Sequence, residues 1–380
     1  MSLKVNTQIP GGNAADVEIL EDGVCPEVRF ASDPYESPEA LWFYFRLVET
    51  ESDPARQTKV RLTWKHFDIM PGCTDATACR PVFQPAGHAW SRLKQGEEKR
   101  MPDGRRELSW LIPHPAPATE VALCFPYGAA DVQSLLQHYP NYWQSAAIGV
   151  SQGGRRIARL NNAVGSLDGR QPGCYIVARQ YAGETPGSWV LDGFLQHLAQ
   201  IRKSGYVVWA VPLVDVDGIV RGQYGKDAFP YDLDHAWGQP PMRHETLVIR
   251  QDVLRWKARC RPILALDFHA PGVCEHDGVY AYVGGDTNGP LAAEETKWCN
   301  ALRNELQAEF AAPEFKRVAN SPSRWTTPGF AAFLRAELGV PTLSLEIPYA
   351  LAGENLLTQK IYREIGRRLA VGLLHRHGGA

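Results

Sequence analysis

Tyr175-Ile176-Val177-Ala178-Arg179-Gln180-Tyr181-Ala182-Gly183-Glu184 passes from a short apolar run to a polar segment that closes on Gly-Glu. The apolar part has the length and composition of a buried strand. The residues beyond it carry Val190, Phe194, Leu198 and Ile201 at helical spacing and stop at Gly205, a common cap position. A strand, a tight turn and a helix make the repeating unit of an α/β domain. Three later segments stand in the same relation to apolar runs: Asp232-Leu233-Asp234-His235, Leu266-Asp267-Phe268-His269 and Ser344-Leu345-Glu346. If each lies at or just beyond a buried strand, their polar side chains converge at one sheet edge, where ligands of open α/β sheets bind.

Outward from these segments, strand-like runs at 175–178, 206–214, 263–266, 279–283 and 342–345 alternate with helical patterns at 187–203, 290–310, 329–338 and 357–375. This alternation predicts an α/β domain over residues 126–380, with a mostly parallel mixed sheet flanked by helices. Residues 1–125 have a different period. Short alternating runs at 41–48, 58–64 and 107–112 are separated by Asp-Pro, Pro-Gly and Pro-Asp-Gly, which predicts a preceding antiparallel β-sandwich domain. Its tryptophans, among them Trp42, Trp64, Trp90 and Trp110, are expected to fill a core rather than stack on sugars.

At 380 residues the chain exceeds the roughly 250–300 residues that one core organises, in keeping with two domains. A formal net charge of -2 gives no electrostatic footprint for nucleic acid or an anionic membrane, so the expected partner is a small-molecule or peptide substrate. There is no apolar stretch of the roughly 18–20 residues a membrane span needs, and the first residues lack a signal-peptide core; a cytoplasmic location is expected. The eight cysteines form no C-x-x-C pair and lie mostly in apolar contexts, as buried free thiols do. Cys73 and Cys79, on a Pro/Gly-rich loop, are the pair open to a disulfide.

In their order the four polar segments resemble those of the zinc metallocarboxypeptidases, and within them the cytosolic carboxypeptidase branch. That branch carries Arg-x-His-Pro-Gly-Glu, Asp-Leu-Asn-Arg, Asp-Leu-His and Thr-Leu-Glu in these places. The similarity extends to Leu123-Cys124-Phe125-Pro126-Tyr127 and to 212–218, and a small β domain precedes the peptidase domain in that branch too. The resemblance implies zinc held by Glu184 and His269, with Glu346 as general base. It also exposes departures. The family's first histidine is Tyr181, its Asn-Arg pair is Asp234-His235, and its carbonyl-polarising arginine falls on Gly225 in Gly222-Gln223-Tyr224-Gly225-Lys226.

Tyr181 can be read in two ways. As a ligand it must lose a proton, which from a pKa near 10 costs about 4 kcal/mol at neutral pH before the metal recovers any of it. As a neutral phenol it fills the histidine's space, its hydroxyl donating to Asp232, the residue whose family counterpart orients the missing histidine. On the second reading zinc is expected to be weak or absent; on the first it is held near one equivalent. Loss of the bidentate carboxylate clamp costs about 2–5 kcal/mol of substrate binding. Lys226 and His235 could replace part of that charge, while Asp234 would repel a carboxylate. Two functions stay open: hydrolysis of an amide or peptide bond, or a catalytically inactive relative that binds a ligand or protein in the old cleft.

Overall fold

The computed structural model describes residues 3–376 apart from 22–24, 50–58, 70–74, 114–116, 203–204, 286–287 and 319–324. Its amino-terminal third holds two five-stranded sheets built from residues between Leu3 and Ala122. Strands such as Glu27–Ala31 and Tyr44–Glu49 alternate half-buried and buried residues, as a sheet with one covered face requires. The covered faces meet through aromatic rings: Phe30 lies 4.9 Å from Phe45 of the other sheet, and Phe43 lies 5.1 Å from Trp64. Trp42, Trp64 and Trp110 are turned into this core. Pairing is antiparallel apart from Glu27–Ala31 against Val60–Trp64, which runs parallel. Cys73 lies outside the described residues; Cys79, Cys124, Cys174, Cys260, Cys274 and Cys299 are buried thiols.

The rest of the chain forms an eight-stranded mixed sheet in the order Gln144–Val150, Arg156–Asn161, Val207–Val211, Pro172–Ala178, Arg261–His269, Thr342–Glu346, Val279–Val283, Ala311–Val318. Its four central strands are parallel. They are buried on both faces, which is why they read as continuous apolar runs. Ile176, Phe268 and Leu345 face one core together with the helices Thr185–Ile201, Pro290–Phe310 and Gln359–Arg376. Tyr175, Val177 and Ala265 face a second core with His244–Lys257 and Phe330–Leu338. The first core is continuous with that of the two small sheets. Each such side chain contributes about 1.5–3 kcal/mol by leaving water. No helix among the described residues is long and apolar enough to cross a membrane.

Helices Thr185–Ile201 and Gln359–Arg376 cross backbone to backbone. A Cβ on Gly366 would lie 1.9 Å from the carbonyl oxygen of Val190, and one on Gly193 would lie 2.2 Å from that of Arg363. Glycine on both sides therefore sets how closely this pair covers the sheet, and with it where the turn at Glu184 sits.

Candidate active site

His269 and Glu346 end neighbouring parallel strands as paired residues, and Glu346 also pairs with Tyr280 on the next strand. Two residues along, Asp267, Ser344 and, on the antiparallel strand, Tyr282 form a second row. Paired residues, and residues two apart, project to the same face of a sheet. The alternate residues Phe268, Leu345 and Ala281 enter the first core, so the polar rows are held on the opposite face at the carboxyl ends of the strands. The third contribution is the turn after Ala178, where Glu184 precedes the first residue of helix Thr185–Ile201.

A cavity of about 590 Å³ opens there, lined by Tyr181, Glu184, Lys226, Asp234, His235, His269 and Glu346. Seven of the eight residues singled out in the sequence thus meet in one cleft, although they span more than 160 positions. Asp232 is the exception. It is buried in the turn below, where its carboxylate accepts the backbone N–H groups of Asp227 at 2.7 Å and of His235 at 3.3 Å. The expected bond from Tyr181 goes elsewhere: the hydroxyl meets Asp234 Oδ2 at 3.4 Å. With both oxygens occupied by the turn, Asp232 shapes the loop that carries Asp234 and His235 instead of receiving the phenol.

His269 is held at both ring nitrogens. Nδ1 lies 2.9 Å from Glu184 Oε2 and Nε2 lies 2.9 Å from Asp267 Oδ2. Burial works against an imidazolium here, but Asp267 and Glu184 outweigh it and push the histidine well above its usual range. Burial lifts the Asp267 carboxyl to about 6. The Glu346 carboxyl makes no hydrogen bond among the described residues. Burial, reinforced by Glu184 and Glu275 and opposed by His269 and Lys226, pushes it up to about 8. Lys226 Nζ lies 3.6 Å from Glu39 Oε2; burial opposes its charge, and Glu39, Glu184 and Glu346 overcome that.

Two ligands at about 2.0–2.1 Å from one tetrahedral ion lie roughly 3.3 Å apart. Glu184 Oε2 and His269 Nδ1, at 2.9 Å, are close to that spacing, and Asp267 on Nε2 orients the ring as carboxylates orient metal-ligating histidines. These two fit a metal. Tyr181 lines the same cleft, its hydroxyl turned toward Asp234. Its ring packs on His269 with centroids 5.3 Å apart, and burial together with the charges of Asp234, Asp232 and Glu184 raises its hydroxyl well above 10. A second grouping brings one oxygen each of Asp234 and Asp267 and a nitrogen of His269 within 4.8 Å of one another. There the Gln180 amide already donates to Asp267 Oδ2 at 2.6 Å and to Asp234 Oδ1 at 2.8 Å, while its own oxygen accepts from Trp237. That amide takes one oxygen of each aspartate, while Asp267 Oδ1 is left without a hydrogen-bond partner among the described residues. His276 and Cys274 do not line the cleft.

Glu39, Asp227, Glu275, Tyr280 and Tyr282 complete the walls, with Gln180 buried behind Asp234 and Asp267; none of these was singled out from the sequence. Tyr280 and Tyr282 were within reach, being two apart on a predicted strand. Glu39 comes from the segment between strands Glu27–Ala31 and Tyr44–Glu49 and carries no local signal. Gly225 has φ +95° and a Cβ there would lie 3.0 Å from the Ala182 nitrogen, so this turn has adapted to the absence of a side chain.

A carboxyl-edge site with Glu and His ready for a metal, on this mixed sheet, defines the class as a metallocarboxypeptidase-fold protein. Solved structures agree: the metallo-carboxypeptidase of Burkholderia cenocepacia superposes with a TM-score of 0.78 over 99% of both chains at 19% identity. That of Pseudomonas aeruginosa, in complex with (2-guanidinoethylmercapto)succinic acid, gives 0.75 over 99% of both at 17% identity. No protein-family model matches the chain. In sequence it is 25% identical to cytosolic carboxypeptidase 2 of Xenopus tropicalis over 296 residues, 70% of this chain and 30% of that protein. It is 30% identical to mouse cytosolic carboxypeptidase 1 over 108 residues, 26% of this chain and 9% of that one. The chain thus has the metallo-carboxypeptidase fold and is similar in sequence to the cytosolic carboxypeptidases. It spans about a third or less of the length of these curated relatives.

Proposed function

We propose that the protein is a divergent metal-dependent hydrolase of an amide or peptide bond, acting in the cytoplasm as the names of its relatives suggest. The observation that carries this is Glu346: a carboxyl group with no hydrogen bond among the described residues, paired in register with His269 and open to the cavity that Glu184 also lines. A buried carboxyl is normally matched by a partner, because an unmatched one costs several kcal/mol. A carboxyl left open to a substrate cleft is instead placed to exchange protons with what binds there.

Glu184 and His269 would hold the metal, zinc by family, whose contribution is to polarise a carbonyl and lower the pKa of water. Glu346 takes a proton from the attacking water and delivers it to the leaving nitrogen as the C–N bond breaks. Lys226 and His269 favour its carboxylate form. Asp267 fixes the His269 ring so that Nδ1 faces Glu184. Tyr181 favours a second reading, an inactive relative that binds a ligand in the same cleft, because a neutral phenol leaves the metal two protein ligands. Zinc-loaded protein assayed on a panel of peptides and blocked amides, beside Glu346→Gln, decides between them. Turnover lost on Glu346→Gln supports the hydrolase; no turnover of any member at full zinc occupancy supports the second reading.

A further inference from the structure

The charge of the cleft bears on its substrate. Glu39, Glu184, Asp227, Asp234, Glu275 and Glu346 line it, against Lys226, His235 and His269. Lys226 is paired to Glu39 and His269 lies between Glu184 and Asp267, so neither offers a free positive charge. Even a divalent ion on Glu184 and His269 would leave carboxylates in excess. Fields inside a low-dielectric cleft select ligands by sign.

Asp234 stands at the focus of this charge. It borders the catalytic cavity and also a second one of about 570 Å³, which shares Tyr282 and Ser344 with the first. The second cavity is walled by apolar side chains including Val283, Leu291 and Phe330, and its one guanidinium, Arg335, is matched by Glu295 at 3.2 Å. Asp234 is half-buried. Its Oδ1 accepts from Gln180 at 2.8 Å and its Oδ2 meets Tyr181 only at 3.4 Å, which leaves acceptor capacity toward the two cavities.

Building on the hydrolase reading, we propose that the cleft takes an amide whose leaving amine carries a second, positively charged amino group, with Asp234, where the two cavities meet, accepting that ammonium. Hydrolysis adds water across the C–N bond, giving a carboxylic acid and a diamine. The ammonium stays protonated throughout and is an anchor, not a reactant.

The test is calorimetric titration of 1,4-diaminobutane and of glutarate into metal-free protein at low ionic strength, which needs no turnover. The diamine is expected to bind at least 10-fold tighter than glutarate, and Asp234→Asn, which keeps the oxygen that Gln180 binds, to weaken it at least 10-fold. Lys226→Gln, which removes the competing cation, is expected to strengthen diamine binding several-fold, and 0.15 M salt to weaken it. If Asp234→Asn does not fold, the lysine and salt arms decide. Tighter binding of glutarate, lost on Arg335→Gln, would overturn the proposal, as would diamine binding that neither Asp234→Asn nor Lys226→Gln alters. Diamine binding without amide turnover would defeat the hydrolase reading while leaving the binding assignment intact.

Discussion

Nδ1 of His269 lies 2.9 Å from Oε2 of Glu184, the spacing of two atoms that share a proton or, with little movement, an ion. If Tyr181, whose hydroxyl burial raises well above 10, stays a neutral phenol, the pair lacks a third protein ligand. Elemental analysis of purified protein should therefore find zinc well below one equivalent. Tyr181→His should raise zinc affinity at least 10-fold, Glu184→Gln should abolish it, and Tyr181→Phe should change it little. Full occupancy that Tyr181→Phe releases would make the phenol a ligand after all.

Glu346 is assigned the proton transfer, and general acid–base catalysis is worth about 10²–10⁴ in rate. Glu346→Gln should cost at least that in kcat on any amide the protein turns over, with zinc content unchanged because the residue is not a ligand. Equal loss of metal and activity would instead make it structural.

How much of this was legible in the sequence varied with what each residue obeys. The central strands and the helix Pro290–Phe310 were readable because burial on two faces, or on one stripe, writes itself into apolar spacing. The edge hairpin of Gln144–Val150 and Arg156–Asn161 was not, since its first strand is largely exposed. Helix His244–Lys257 was hidden by the polar residues on its inner side: Glu245, Arg250 and Asp252 are buried there in ion pairs and hydrogen bonds, which masks the apolar stripe. In the site, residues in family order were visible. Gln180, whose amide bridges Asp234 and Asp267, was not, because its role depends on two carboxylates 54 and 87 positions away.

The stability of metal-free protein should fall as pH rises from about 5 to about 8. Glu346 sits near 8 in the folded state against an ordinary 4.5, so across that window the unfolded chain has released a proton the folded protein keeps. Stability follows the proton: it is fully present below about 4.5 and lost as pH passes about 8. Asp232 and Asp267, each near 6, act in the same sense at the lower end, and the raised His269 adds to it. Thermal melts of chelated protein between pH 6 and pH 9 should show the wild-type midpoint dropping more than that of Glu346→Gln. Parallel curves would mean that Glu346 titrates normally.

Gly366→Ala should destabilise the protein by about 1–3 kcal/mol or more, the usual cost of overpacking, because its new methyl would fall 1.9 Å from the Val190 carbonyl oxygen. Alanine is the better helix former, so propensity alone predicts a gain. Urea unfolding of the variant separates the two effects, and a midpoint at or above wild type would show that the helix crossing yields.

Peptides with a free terminal carboxylate should be poor substrates, and blocking that carboxylate as an amide should cost little. By the sequence resemblance, Asp234-His235 stand in place of the family's clamp and Gly225 in place of its polarising arginine. Restoring the arginine alone should fail: Gly225 at φ +95° holds a conformation that costs a side-chain-bearing residue about 1–3 kcal/mol, and its Cβ would press on the Ala182 nitrogen at 3.0 Å. The double variant Asp234→Asn/His235→Arg changes side chains on the loop that Asp232 already fixes, and should improve carboxylate binding at least 10-fold where Gly225→Arg does not. Competition by glutarate in the three proteins measures this, and efficient release of terminal residues from ordinary peptides by wild type would refute the altered specificity.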